Sequence, residues 1–220
     1  MRRRLAPVLL VLAAACAHDP AAAPRATTST SVTASTTSTT AAVTRTTSTR
    51  QAGCPMTPDQ LRALQIEYWG FDEQPHTGTL VVNARVADAV MRAFATLLRE
   101  RFPIRRMDPI DVFGGSDEAS LDADNTAAYN CRRVVGSGPP RWSAHAYGTA
   151  IDVNPVENPY LEGGRVHPES GRDYLTRSPY RPGMAVDGGV LVRAFESVGW
   201  KWGGRWAATP DYQHFSSTGG

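Results

Sequence analysis

Histidine is scarce in this chain of 220 residues, with five in all, and cysteine is scarcer still, with three. Any imidazole chemistry therefore falls to His18, His76, His145, His167 or His214. Long apolar runs are missing too. The stretch from Leu5 to Ala15 is too short to span a bilayer comfortably. No internal repeat appears, and no basic patch. The net charge of +2 misleads on this point. Six of the 23 basic residues lie before position 51, against Asp19 alone of the 21 acidic ones. The remainder carries 17 basic and 20 acidic residues, a balance that argues against nucleic acid as a partner.

The chain is 41% hydrophobic and 20% charged, which suits one globular domain plus an additional part. The additional part comes first. Arg2, Arg3 and Arg4 precede the apolar run, the layout of a secretory signal over residues 1–16. The competing reading, a buried N-terminal helix, suffers because the next segment has nothing to pack onto it. Cys16 follows Ala13, Ala14 and Ala15, as at a bacterial lipoprotein cleavage site. Such sites usually carry a larger aliphatic residue where Ala13 stands, so plain cleavage and free secretion stay open. Residues 17–53 are dominated by Ser, Thr, Ala and Val without apolar period, which reads as a flexible linker. The folded domain is expected over 54–217. If Cys16 carries lipid, Cys54 and Cys131 remain as a pair for a disulfide outside the cytosol. The alternative is two unpaired buried thiols.

Within the domain, Thr57-Pro58-Asp59-Gln60 has the signature of a helix start. Leu61, Leu64, Gln65 and Tyr68 would continue that helix. Thr79 to Val82 reads as a strand, and Val86 to Leu98 as a helix. Ile104 to Met107, Cys131 to Val135 and Ala150 to Val153 read as further strands. Residues 154–184 form a long ordered loop, Val190 to Val198 a helix, and the aromatic end closes on a strand. This mixture without βαβ regularity predicts an α+β domain, a small antiparallel sheet with flanking helices. Asp122-Ala123-Asp124-Asn125 hints at a calcium loop but lacks the required glycine and distal glutamate.

Two segments carry chemistry. One runs Ser143-Ala144-His145-Ala146-Tyr147-Gly148-Thr149-Ala150-Ile151-Asp152, the other Asp211-Tyr212-Gln213-His214-Phe215. Two histidines and one carboxylate meet the ligand count of a catalytic zinc ion, which keeps its fourth position for water. Asp152 on a strand between apolar Ile151 and Val153 needs a partner to be buried, and a metal supplies one. Gly148 lets the backbone turn back so that His145 and Asp152 face one point. Asp211, three residues before His214, is placed to take a proton from an attacking water and return it to a leaving amine. His76 and His167 are expected at the surface. Tyr147, Tyr160, Trp202 and Trp206 either line a substrate groove or pack in the core.

Ser-x-His-x-x-Gly-x-Ala-x-Asp followed late by Asp-x-x-His resembles the signature of the D-Ala-D-Ala carboxypeptidase group of metallopeptidases. That group includes VanY-type carboxypeptidases and L-Ala-D-Glu endopeptidases. Asn130-Cys131-Arg132, His-Ala-Tyr-Gly, Ile-Asp-Val-Asn-Pro, Asn158-Pro159-Tyr160 and Trp-Gly-Gly-x-Trp are similar to the endopeptidase-type branch. The resemblance covers roughly residues 80–215 and implies a hedgehog/DD-peptidase-like zinc domain. It implies Zn2+ on His145, Asp152 and His214, with Asp211 as base. Arg132 would polarise the substrate carbonyl, with Arg133 as rival, and Ser143 would orient a ligand or cap a turn. The implied substrate is a peptidoglycan stem peptide, cut by a monomeric, exported enzyme that touches the membrane only through a lipid anchor. A zinc-containing cell-wall binding module without turnover is the alternative from another class.

Overall fold

A computed structural model describes residues 53–134 and 139–219. The leader, Cys16 and the linker up to residue 52 lie outside the described residues. No helix among those described is long and apolar enough to cross a membrane.

The Thr57 signature is real, but it opens one turn rather than a helix. The Gln60 side chain accepts the Thr57 backbone N–H at 2.9 Å over a 3-10 turn at Pro58–Gln60. The chain then extends into strand β1, Leu61–Gly70, instead of the expected helix. Leu61, Leu64 and Tyr68 fit a helical spacing, but Leu64, Ile66 and Tyr68 also alternate with exposed Gln65 and Glu67. The alternation prevails because β1 has a partner: β2, Pro75–Asn83, pairs with it antiparallel along nearly its whole length. A short β3, Pro103–Ile104, adds to the other edge in parallel.

Helix α1, Ala87–Arg99, follows as expected and buries Val90, Ala93, Phe94 and Leu97. These meet Leu64, Ile66, Leu80 and Val82 of the first sheet in one core. Helix α2, Asp117–Asp122, starts at Ser116, whose side chain accepts the Ala119 N–H. A second sheet has the order β4–β8–β7, from β4, Ala150–Asp152, β7, Lys201–Trp202, and β8, His214–Ser216. Helix α3, Val190–Glu196, packs Phe195 edge-on against Phe94 and face to face with Phe215, joining both sheets through one apolar centre. The architecture is α+β with small antiparallel sheets.

Two expected strands shrink to single pairings. Beyond β3 only Arg106 pairs, with Asn125, and the segment at Cys131 pairs only at Arg133, with Trp142. That segment still forms a ribbon. Arg132 O accepts Ser143 N–H and Arg141 O accepts Val134 N–H. Cys54 and Cys131 form the disulfide, with Cα atoms 5.8 Å apart and the residues 77 positions apart in sequence.

The long loop after β4 contains its own hairpin, β5, Tyr160–Glu162, with β6, Arg165–His167. Buried amides pin it. Asn158 Nδ2 donates to Val153 O and Gly183 O, while its Oδ1 accepts Ala185 N–H and Arg177. Asn154 Nδ2 donates to Pro103 O, and Asn154 Oδ1 accepts Arg105 N–H. Asp124 is committed to the same joint rather than to a cation loop: the Arg105 guanidinium lies 3.4 Å from Asp124 and 3.3 Å from Glu157.

Two outcomes are expected from this packing. Reducing the disulfide releases a long loop in the unfolded chain and should cost roughly 4 kcal/mol, read by denaturant unfolding with and without reductant. Coincident curves would contradict it. Glu157 offers a pH test. Burial, and then the Asp124 charge, push its carboxyl up to about 8. An unfolded glutamate titrates near 4.3, so folding takes up a proton between the two values. The stability this secures is complete below about pH 4 and is lost as pH rises through about 8. Glu157→Gln should therefore flatten the fall in Tm from about pH 5 to pH 8. Parallel slopes in the two proteins would refute it.

Candidate metal centre

Strand register builds the centre. On β4 and β8, Ile151 faces Phe215 and Asp152 faces His214. Alternation sends the first pair into the core and the second into a cleft. His145 arrives from a 3-10 turn, Ala144–Tyr147, capped by Ser143, whose hydroxyl accepts the His145 backbone N–H at 3.3 Å. Ser143 thus caps the turn that carries His145. Gly148 ends that turn at φ 63°, a conformation that favours glycine. A Cβ there would also lie 2.6 Å from Asn83 N of β2. Residues 126–130 tie the two sheets: Asp152 and Ala127 exchange both backbone hydrogen bonds, and Tyr129 N–H donates to Val81 O.

His145 Nε2 stands 3.1 Å from Asp152 Oδ2 and 3.3 Å from His214 Nδ1, and His214 Nδ1 is 3.2 Å from Asp152 Oδ1. All three residues are buried. Ligands placed tetrahedrally about zinc at about 2.0–2.1 Å stand about 3.3–3.4 Å from one another, so the observed spacing fits. The His145 ring orientation fits as well. His145 Nδ1 lies 2.7 Å from Ala128 O, which can only accept, so Nδ1 carries a proton and the neutral ring turns a lone pair on Nε2 toward the centre. His214 Nε2 is buried without a partner. Burial opposes ionisation of Asp152, but the His145 and His214 rings outweigh it and hold the carboxyl well below its usual range. Burial likewise opposes charge on His145, yet Asp152 raises its pKa.

Asp211 is half-buried beside this centre; its carboxyl accepts the His214 backbone N–H, while its Oδ1 is buried without a hydrogen-bond partner. Burial, followed by the Asp152 charge, pushes its carboxyl up to about 7. A cation held by the three ligands would pull it back down. Arg132 lines the same cleft of about 480 Å³. Its Nε sits 3.0 Å from Asp117 Oδ2, and Asp117 in turn accepts Asn130 Nδ2 at 2.9 Å. Arg133 points away, its guanidinium 3.7 Å above the Trp142 ring. The geometry thus brings Arg132, not Arg133, into the cleft of the candidate metal centre.

The four aromatic residues divide. Tyr160 and Trp206 line the cleft, Trp202 is buried with its Nε1–H donated to Tyr212 O, and Tyr147 is exposed elsewhere. Tyr160 stacks on half-buried His167 at 4.7 Å, so that histidine supports the cleft wall. His76 lies at the surface beside Asp72. Sequence reading missed Asp117, Glu162 and Gln213, all of which line the cleft. Gln213 is buried and its Oε1 lacks a partner. No local spacing marks any of the three.

Residues 137–217 match the family described as D-alanyl-D-alanine carboxypeptidase. That span contains His145, Asp152, Asp211 and His214 and begins after Arg132. It makes this part of the chain similar to peptidases, and the donor set is one that can hold a metal ion. The finer resemblance to the endopeptidase branch is not part of that match. No curated protein and no solved structure matches the chain.

Metal loading provides a direct check. Zinc added to chelated protein at about 100 times its Kd should stabilise it by about 2.7 kcal/mol. His145→Ala should abolish the rise in Tm. An equal rise in both proteins would place the metal elsewhere.

Proposed function

We propose that the domain is a zinc-dependent peptidase that hydrolyses amide bonds in peptidoglycan stem peptides. The observation that carries this reading is the convergence of His145, Asp152 and His214 beside Asp211, whose Oδ1 is buried without a hydrogen-bond partner. A bound zinc ion would supply Lewis acidity and lower the pKa of a water to about 7.

The chain's own groups divide the remaining work. Asp211 Oδ1 takes a proton from the attacking water, whose oxygen adds to the amide carbon. It then delivers that proton to the amide nitrogen as the carbon–nitrogen bond breaks. The Arg132 guanidinium faces the carbonyl oxygen as negative charge grows there, where a fixed cation favours the transition state. Asp117 is a positioning residue, holding Arg132 in place. Ala128 O fixes the His145 tautomer through Nδ1–H. The domain acts as a monomer outside the membrane, at the end of the residue 17–53 linker, with Cys16 as a lipid-bearing anchor. The disulfide and the family match support that location.

Asp211→Asn separates catalysis from metal binding. It should retain zinc by elemental analysis while cleavage of purified peptidoglycan falls by about 10²–10⁴-fold. Asparagine keeps the size of the side chain but cannot accept the proton. Near wild-type cleavage would remove Asp211 from the mechanism, and loss of zinc would make it a ligand. A wild-type, zinc-loaded protein that binds cell wall yet releases no fragment by mass spectrometry would favour the binding-module reading.

A further inference from the structure

The ribbon of residues 131–134 and 141–143 has two faces, and only one belongs to the metal site. Arg132, Val134, Arg141 and Ser143 line the catalytic cleft. Trp142 lies on the opposite face, under the Arg133 guanidinium. Behind it opens a second cavity of about 490 Å³. Its walls include Trp142, Tyr147, Asn83, Arg85 and Gln60. Ala144, next to the ligand His145, borders both cavities.

The chemistry of this second cavity is specific. Tyr147 is 41% exposed although it stands on the turn that carries His145. Among the described residues its ring stacks on no other, and its hydroxyl meets no hydrogen-bond partner. No carboxylate lines the cavity. The one charged lining group, Arg85, is exposed to solvent, which screens its charge. Two aromatic rings with uncharged amides and hydroxyls suit a ligand that has apolar faces and many hydroxyls but no charge.

We propose that this cavity binds a neutral N-acetylated saccharide, the glycan to which a stem peptide is joined. Ala144 borders both this cavity and the cleft, so a peptide carried by the bound sugar starts beside the metal centre. This coupling rests on the peptidase reading above; the saccharide site does not.

The test has two arms. In the first, an N-acetylglucosamine trimer is titrated into the metal-free full-length chain while indole N–H resonances are followed by NMR, with Trp142→Phe assigning the signal. The Trp142 signal should move, and Tyr147→Ala should weaken the apparent affinity about two- to tenfold. No movement, movement unaffected by Tyr147→Ala, or a response to inorganic phosphate in place of the trimer would each overturn the proposal. In the second arm, zinc-loaded protein is given the same stem peptide with and without its sugar. The wild type should prefer the sugar-linked peptide through KM, and Tyr147→Ala should reduce that preference by a similar factor. Equal preference in both proteins would refute the coupling. If neither peptide is cut, the peptidase reading fails, and the trimer titration still decides the saccharide site.

Discussion

Two imidazole nitrogens and a carboxylate, all bearing lone pairs, are held within 3.1–3.3 Å of one another and away from bulk water. Such groups repel each other unless positive charge lies between them, supplied by protons or by a metal. The surrounding structure keeps them together against that repulsion. Ile151 and Phe215, paired on the opposite face of the same two strands, lie fully within the core. Shifting either strand by one residue would bury Asp152 or His214 among aromatic rings and turn a core residue toward water. The apolar packing of Phe94, Phe195 and Phe215 thus fixes the geometry of the polar centre.

Charge around the centre is distributed with similar economy. Arg132 is drawn to the cleft by Asp117, itself held by Asn130, so the cation has a partner before any substrate arrives. Asp211 keeps one buried oxygen without a hydrogen-bond partner, and burial together with the Asp152 charge raises its pKa. A buried acid whose pKa is displaced toward neutrality is ready to give and take protons, at some cost in stability.

The candidate donor set was legible in the sequence because its residue types are rare and locally spaced. His145 and Asp152 lie on one short segment, and Asp211 marks the surroundings of His214. The helices at 87–99 and 190–196 were legible because their apolar residues fit one period and have no competing one. β1 was misread because Leu61, Leu64 and Tyr68 satisfy helical spacing, while its true partner lies a hairpin away. The cap at Thr57 misled further, since the same side-chain pairing closes a single turn as readily as it opens a helix. Asp117 was invisible because its link to Arg132 exists only after the chain has folded. Arg132 and Arg133 could not be separated until the ribbon assigned them to opposite faces.

The disulfide joins Cys54, just ahead of the first turn of the domain, to Cys131, the neighbour of Arg132. It therefore fastens the entrance of the folded domain to a wall of the cleft. Without it, the ribbon is held by a few backbone hydrogen bonds, the Arg132–Asp117 ion pair and the Arg133–Trp142 stack. In a compartment that keeps thiols reduced, the wall carrying Arg132 would lack its covalent brace. The arrangement of that wall, and of the cleft it borders, therefore depends on the redox state of the compartment in which the chain folds.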